Sequence, residues 1–144
     1  MTYIYLAHPI DRAPTGGVDW GGLCTEALLA AGASAVYDPA TAWAVHDPAG
    51  FSSKSVQDTN IEALRRADGC LAVLPEGVPS IGTPMEILLA VRDFDIPVVV
   101  IGGEGSVALR WLRVPTIQPK IESVGQAATA LIETITDPSD WKLP

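Results

Sequence analysis

The chain has 144 residues, of which 48% are hydrophobic, and a formal net charge of −8. That length and apolar content fit one globular domain spanning residues 1–144 and exclude a disordered chain. The pI near 4.5 argues against a nucleic-acid polymer as partner, and apolar runs such as Ile96–Ile101 are too short to cross a bilayer. Met1 leads almost at once into a strand-like run, without a basic segment or a long apolar core. No signal peptide is therefore expected, and the reading is cytoplasmic.

In chain order, Tyr3–Ala7 reads as a first strand, and His8 to Gly17 as a Gly/Pro-rich loop. A helix is predicted from Trp20 to Ala31, with Leu23, Ala27, Leu28 and Ala31 on one face and Gly32 as its C-terminal cap. Ser34–Tyr37 follows as a second strand. The segment from Asp38 to about Phe51 reads as a long loop carrying Trp43, His46 and two Asp-Pro pairs, and loops of that length are often functional. A second helix is expected from Ser53 or Ser55 to Ala67. Cys70–Leu74 is short and apolar enough for a strand buried on both faces. A third helix from Pro84 to about Asp93, a fourth strand Val98–Ile101, a short helix Ser106–Trp111, a weak fifth strand at Thr116–Ile117 and a helix Ser123–Thr136 complete the pattern.

Strand–helix alternation implies a parallel sheet covered on both faces, a three-layer α/β/α sandwich with five strands in the order 2-1-3-4-5. In that order the chain switches direction between strands one and three, and open α/β sheets bind ligands at such a crevice. The loops after strands one, two and three would line it.

Chemistry-bearing motifs are few. There is no G-x-G-x-x-G, no phosphate-loop lysine motif and no G-x-S-x-G elbow. His8 and His46 lack the spacing of a zinc site, and no metal or cofactor is expected. Cys24 and Cys70 read as reduced core cysteines. Glu86 is the notable carboxylate. Gly82 frees the turn, Thr83 suits an N-cap and Pro84 the first helical position, so Glu86 falls at the start of a helix at the carboxyl edge of the sheet. Its spacing from Thr83 fits a capping-box glutamate as well as a carboxylate offered to a crevice. Trp43 and His46 suit either the wall of a base-binding site or a surface clamp.

Three segments in order resemble the nucleoside 2-deoxyribosyltransferase superfamily, which includes 2′-deoxynucleoside 5′-monophosphate N-glycosidases. They are Tyr5-Leu6-Ala7-His8-Pro9-Ile10, Asn60 to Asp68 followed by Leu71–Leu74, and Ser80-Ile81-Gly82-Thr83-Pro84-Met85-Glu86-Ile87. The second is similar to that superfamily's D-x-x-x-I-x-x-A-D helix, and the third to its S/D-x-G-x-x-x-E-x-G turn. With Ala90 and Ile96–Val99 continuing the pattern, the resemblance covers roughly residues 3 to 101.

The resemblance implies a flavodoxin-like fold and cleavage of the bond between sugar C1′ and a base, with transfer to water or to another base. It makes Glu86 the nucleophile and Tyr5 its orienting partner, although core packing is an equal reading of Tyr5. Ser80 stands where the monophosphate glycosidases bind phosphate, and Ser106 is either a further phosphate donor or an ordinary N-cap. Asn60 occupies the position of a family aspartate. An amide can bond a hydroxyl but cannot be a general acid, so Asp58 is the candidate substitute. Gly82, Arg12 and Trp43 complete the expected substrate contacts, and His8, where relatives usually have glycine, either contacts substrate or bonds the loop backbone; Asp11 stands where relatives carry arginine. The implied partners are a nucleoside or nucleotide and a second copy of the chain in a homodimer. Two other readings remain: an NAD glycohydrolase of the TIR type, and a non-catalytic nucleotide-binding domain.

Overall fold

The computed structural model describes residues 1–9, 18–44, 53–75, 82–103, 107–117 and 122–137. Four parallel strands carry the sheet in the order β2-β1-β3-β4: β1 (Tyr3–Ala7), β2 (Ala35–Tyr37), β3 (Gly69–Leu74) and β4 (Val98–Gly102). The weak fifth strand expected at Thr116–Ile117 is present as β5 (Thr116–Ile117), a two-residue pairing beside β4. Pro115 and Pro119 bracket it in the sequence, and neither can donate to a ladder.

Alternation along the strands divides the core in two. Ile4, Leu6, Leu71, Val73, Val99 and Ile101 face one apolar cluster, which packs against α1 (Trp20–Ala31) and α6 (Ser123–Thr136). Tyr5, Ala7, Cys70, Ala72, Val98 and Val100 face the other, with α3 (Ser53–Arg66) and α4 (Gly82–Leu88) contributing Leu64 and Ile87. Burying each such Leu or Ile contributes roughly 1.5–3 kcal/mol, so the strands that carry the site are held firmly. Cys24 and Cys70 are both free and buried.

Several ends are set by local chemistry. The side chain of Asp19 caps α1 by accepting from the Gly22 amide, and Gly32 closes it in the left-handed region at φ 115°. Asp68 ties the end of α3 to β1. Its carboxylate accepts from the Tyr3 amide at 2.8 Å, and its own amide donates to the Tyr3 carbonyl at 2.7 Å.

Two elements differ from expectation. The segment read as one long loop holds α2 (Pro39–Ala44), with Asp38 as its cap and Pro39 in the first position. The third helix begins at Gly82, so Thr83 lies inside it, and it continues as a π-helical turn over Leu89–Asp93. The short helix α5 runs from Val107 to Leu112. Among the described residues no helix is long and apolar enough to cross a membrane.

Candidate active site

The site is built from the bottom of the second cluster upward. Tyr5 lies in β1 opposite Tyr37 of β2, so both side chains leave the same face of the sheet. Their rings stack with centroids 5.5 Å apart and planes 22° apart. The Tyr37 hydroxyl donates to Asn60 Oδ1 on α3 at 3.0 Å, which fixes that ring from behind. The Tyr5 hydroxyl, in turn, donates to Glu86 Oε2 on α4. A line of contacts therefore runs from Asn60 through Tyr37 and Tyr5 to the Glu86 carboxylate.

Glu86 has a partner 81 residues away in sequence, which a capping-box glutamate does not need. Burial pushes its carboxyl up to about 7, against the opposing pull of the Tyr5 hydrogen bond and the nearby His8. The same contact acts on Tyr5. Burial first, then the neighbouring carboxylate, hold its phenol far above the usual tyrosine range, so it stays a donor. Cys70, paired with Tyr5 across the sheet, has its thiol pushed up by burial and then by Glu86, which leaves it unreactive.

A second pair closes the same edge. His8 follows β1 and Asp38 follows β2, and His8 Nε2 lies 2.7 Å from Asp38 Oδ1. Each side chain is only 10% exposed. Asp38 also accepts from the Ala40 amide at 2.9 Å, and its Oδ2 lies 3.4 Å from the Thr41 hydroxyl. Burial works against the Asp38 carboxylate, but the His8 hydrogen bond and charge, with those donors, hold it below the ordinary carboxylate range.

The first turn of α1 leaves room for this pair only because residue 21 is glycine. A Cβ on Gly21 would meet Asp38 Oδ2 at 2.6 Å and two His8 ring atoms at 3.3 Å. Gly21→Ala is therefore expected to force the pair apart and to cost about 1–3 kcal/mol of stability, read by chemical denaturation.

The residues expected from the sequence fall into three groups. Tyr5, Glu86, Asn60 and His8 gather at this edge, with Asn60 acting on Tyr37. Gly82 flanks the carboxylate, since a Cβ there would lie 3.9 Å from Glu86 Oε1. Asp58 is placed elsewhere. It lines a groove of about 440 Å³ with Tyr3, Thr59, Glu62, Ala63 and Arg66, a lining that includes neither Tyr5 nor Glu86. The reason is helical geometry: Asp58 and Glu62 share a face of α3, and Asn60 sits on another. Arg12, His46, Ser80 and Ser106 lie outside the described residues, as does the Trp43 side chain, although Trp43 itself belongs to α2.

Tyr37 and Asp38 were not singled out in the sequence. Their signal is positional: they end β2, the strand beside β1, where side chains reach the crevice. Among the described residues no group of three or more His, Cys, Asp or Glu side chains is placed to hold a metal ion.

No family model and no curated protein matches the chain. Among solved structures it is similar to a conserved protein from Enterococcus faecalis V583, at 17% identity and a TM-score of 0.69, over 90% of this chain and 98% of that one. That likeness shows a shared α/β fold.

Proposed function

We propose that the chain cleaves the N-glycosidic bond of a (deoxy)nucleoside or nucleoside 5′-monophosphate through a covalent glycosyl–glutamate intermediate. It would do so as a relative of the nucleoside 2-deoxyribosyltransferases, on the flavodoxin-like three-layer sandwich that this relationship implies. The observation that carries the reading is the Tyr5 hydroxyl bonded to the half-buried Glu86 carboxylate, at the point where the sheet order reverses.

A carboxylate pushed to about 7 is a nucleophile poised near neutral pH, and a phenol that stays protonated holds one oxygen while the other is left to attack. Glu86 attacks C1′, the bond to the base breaks through an oxocarbenium-like transition state, and water or a second base releases the sugar. No cofactor enters this chemistry. The free thiols suit a cytoplasmic setting. The homodimer implied by the resemblance belongs to the same proposal, and Met85, Leu88 and Trp111 are exposed apolar side chains on α4 and α5, beside the site.

The test is free-base release from a panel of ribo- and deoxynucleosides, their 5′-monophosphates and NAD, with Glu86→Gln as control. Release from one class that disappears in the variant supports the reading. Release of nicotinamide alone moves it to NAD glycohydrolysis. No release from any member, with folded protein, points to a binding role.

Tyr5→Phe separates the orienting role of Tyr5 from simple packing. The tyrosine hydrogen bond lowers the Glu86 carboxyl, so its removal raises that carboxyl further above about 7. The acid limb of the kcat/KM profile is expected to move to higher pH, with a loss of about tenfold at neutral pH. An unmoved limb would assign Tyr5 to packing alone.

A further inference from the structure

Breaking a C1′–N bond places negative charge on the departing base, and a proton delivered to that base lowers the barrier. The described residues at this edge offer few donors. Tyr5 is committed to Glu86, and Asn60 is an amide that cannot give up a proton. Asp58 lines a different groove, the buried Cys70 thiol is pushed up, and Asp38 is held as a carboxylate. His8 remains, and an imidazole holds and releases a proton near neutral pH.

We infer that His8 is the general acid of the glycosidic reaction and that Asp38 is its positioning residue. The bond to Asp38 engages Nε2 and sets the tautomer, so that Nδ1 is the nitrogen remaining for substrate. This is the device by which a buried carboxylate orients a catalytic histidine. The pair is built into the fold, since it joins the ends of two adjacent strands, is nearly buried and is accommodated by Gly21 in the first turn of α1. Among the described residues, Asp38 at the head of α2 and Glu86 on α4 carry the charges whose fields couple to His8.

The inference rests on the glycosidic reading. In the first step, Glu86 Oε bonds to C1′ and the C1′–N electron pair passes to the base nitrogen, which takes the Nδ1 proton of the His8 imidazolium. In the second, water bonds to C1′ and gives a proton to Nδ1, and the C1′–Oε pair returns to Glu86. The net reaction is nucleoside plus water to sugar plus base, with both side chains restored.

The experiment compares deoxyguanosine and its 5′-monophosphate with their N7-methylated forms, whose base departs without needing a proton. Enzyme-free release is subtracted throughout. His8→Gln and His8→Asn are expected to lose about 10²-fold or more on the unmethylated substrates and tenfold or less on the methylated ones. Asp38→Asn is expected to lose more on the unmethylated than on the methylated substrates, because the imidazole loses the acceptor that orients it.

Equal losses on both substrate types in both His8 variants, or in Asp38→Asn, would overturn the assignment. If Glu86→Gln still abolished release in that case, the glycosidic reading would stand without it. Wild-type protein that releases no base from these substrates or from any other member of the nucleoside panel would overturn both.

Discussion

Glu86→Gln is expected to lower base release by about 10³-fold or more while leaving the protein more stable than wild type at alkaline pH. The two effects have one cause. Glutamine keeps an oxygen to accept from the Tyr5 hydroxyl, so the local hydrogen bond survives. What disappears is a carboxylate that cannot ionise cheaply in its buried setting, and with it the proposed nucleophile.

The sign of the pH dependence follows from linkage. The folded-state carboxyl lies at about 7 against an ordinary 4.5, so the folded protein binds a proton there that the unfolded chain releases. Wild type therefore carries no penalty from Glu86 below about pH 4.5, loses stability as pH rises, and reaches a constant deficit above about 7. That deficit is of the order of 3 kcal/mol. Thermal melts of the two proteins should nearly coincide near pH 4 and separate by several degrees near pH 8, with the variant higher. Coincident melts at both values would show that Glu86 titrates as an exposed carboxylate. Full activity in the variant would remove it as the nucleophile.

Gly102→Ala carries the largest expected loss of stability. Gly102 ends β4 at φ 93°, where L side chains are strained, and it sits in register with Leu74 at the end of β3. A Cβ there would collide with the Leu74 carbonyl oxygen, which is backbone and cannot turn aside. The two strands would have to separate at the edge from which the chain leaves for α4 and Glu86. A cost of about 3 kcal/mol or more is expected, seen as a lower denaturation midpoint at unchanged slope. Gly125→Ala is the matching control. That glycine lies exposed in α6 with nothing within 4 Å of a Cβ, so alanine should be neutral or stabilising by under about 1 kcal/mol. Equal effects at the two positions would contradict the close approach at Gly102.

The elements legible in the sequence are those whose signal is local and long enough to repeat. The apolar run Tyr3–Ala7, the α1 stripe ending at Gly32 and the α6 stripe over Ser123–Thr136 agree with the structure. Each holds enough residues for periodicity to show. The six-residue α2 does not, so only its Asp-Pro start marks it. The two residues of β5 gave only the weak strand expected at Thr116–Ile117, and prolines flank that short ladder in the sequence.

By itself the sequence determined a single parallel α/β pattern, the place of Glu86 just beyond the third strand and the absence of familiar phosphate and metal motifs. Only the tertiary structure decided which side chains meet. It joined Tyr5 to Glu86, set Tyr37 against Tyr5, separated Asp58 from Asn60 by helical phase and brought Asp38 to His8. Those contacts span 30 residues for His8 with Asp38 and 81 for Tyr5 with Glu86. Pairings at such separations are set by strand order and by which face each side chain leaves, and neither is written in the residues between them.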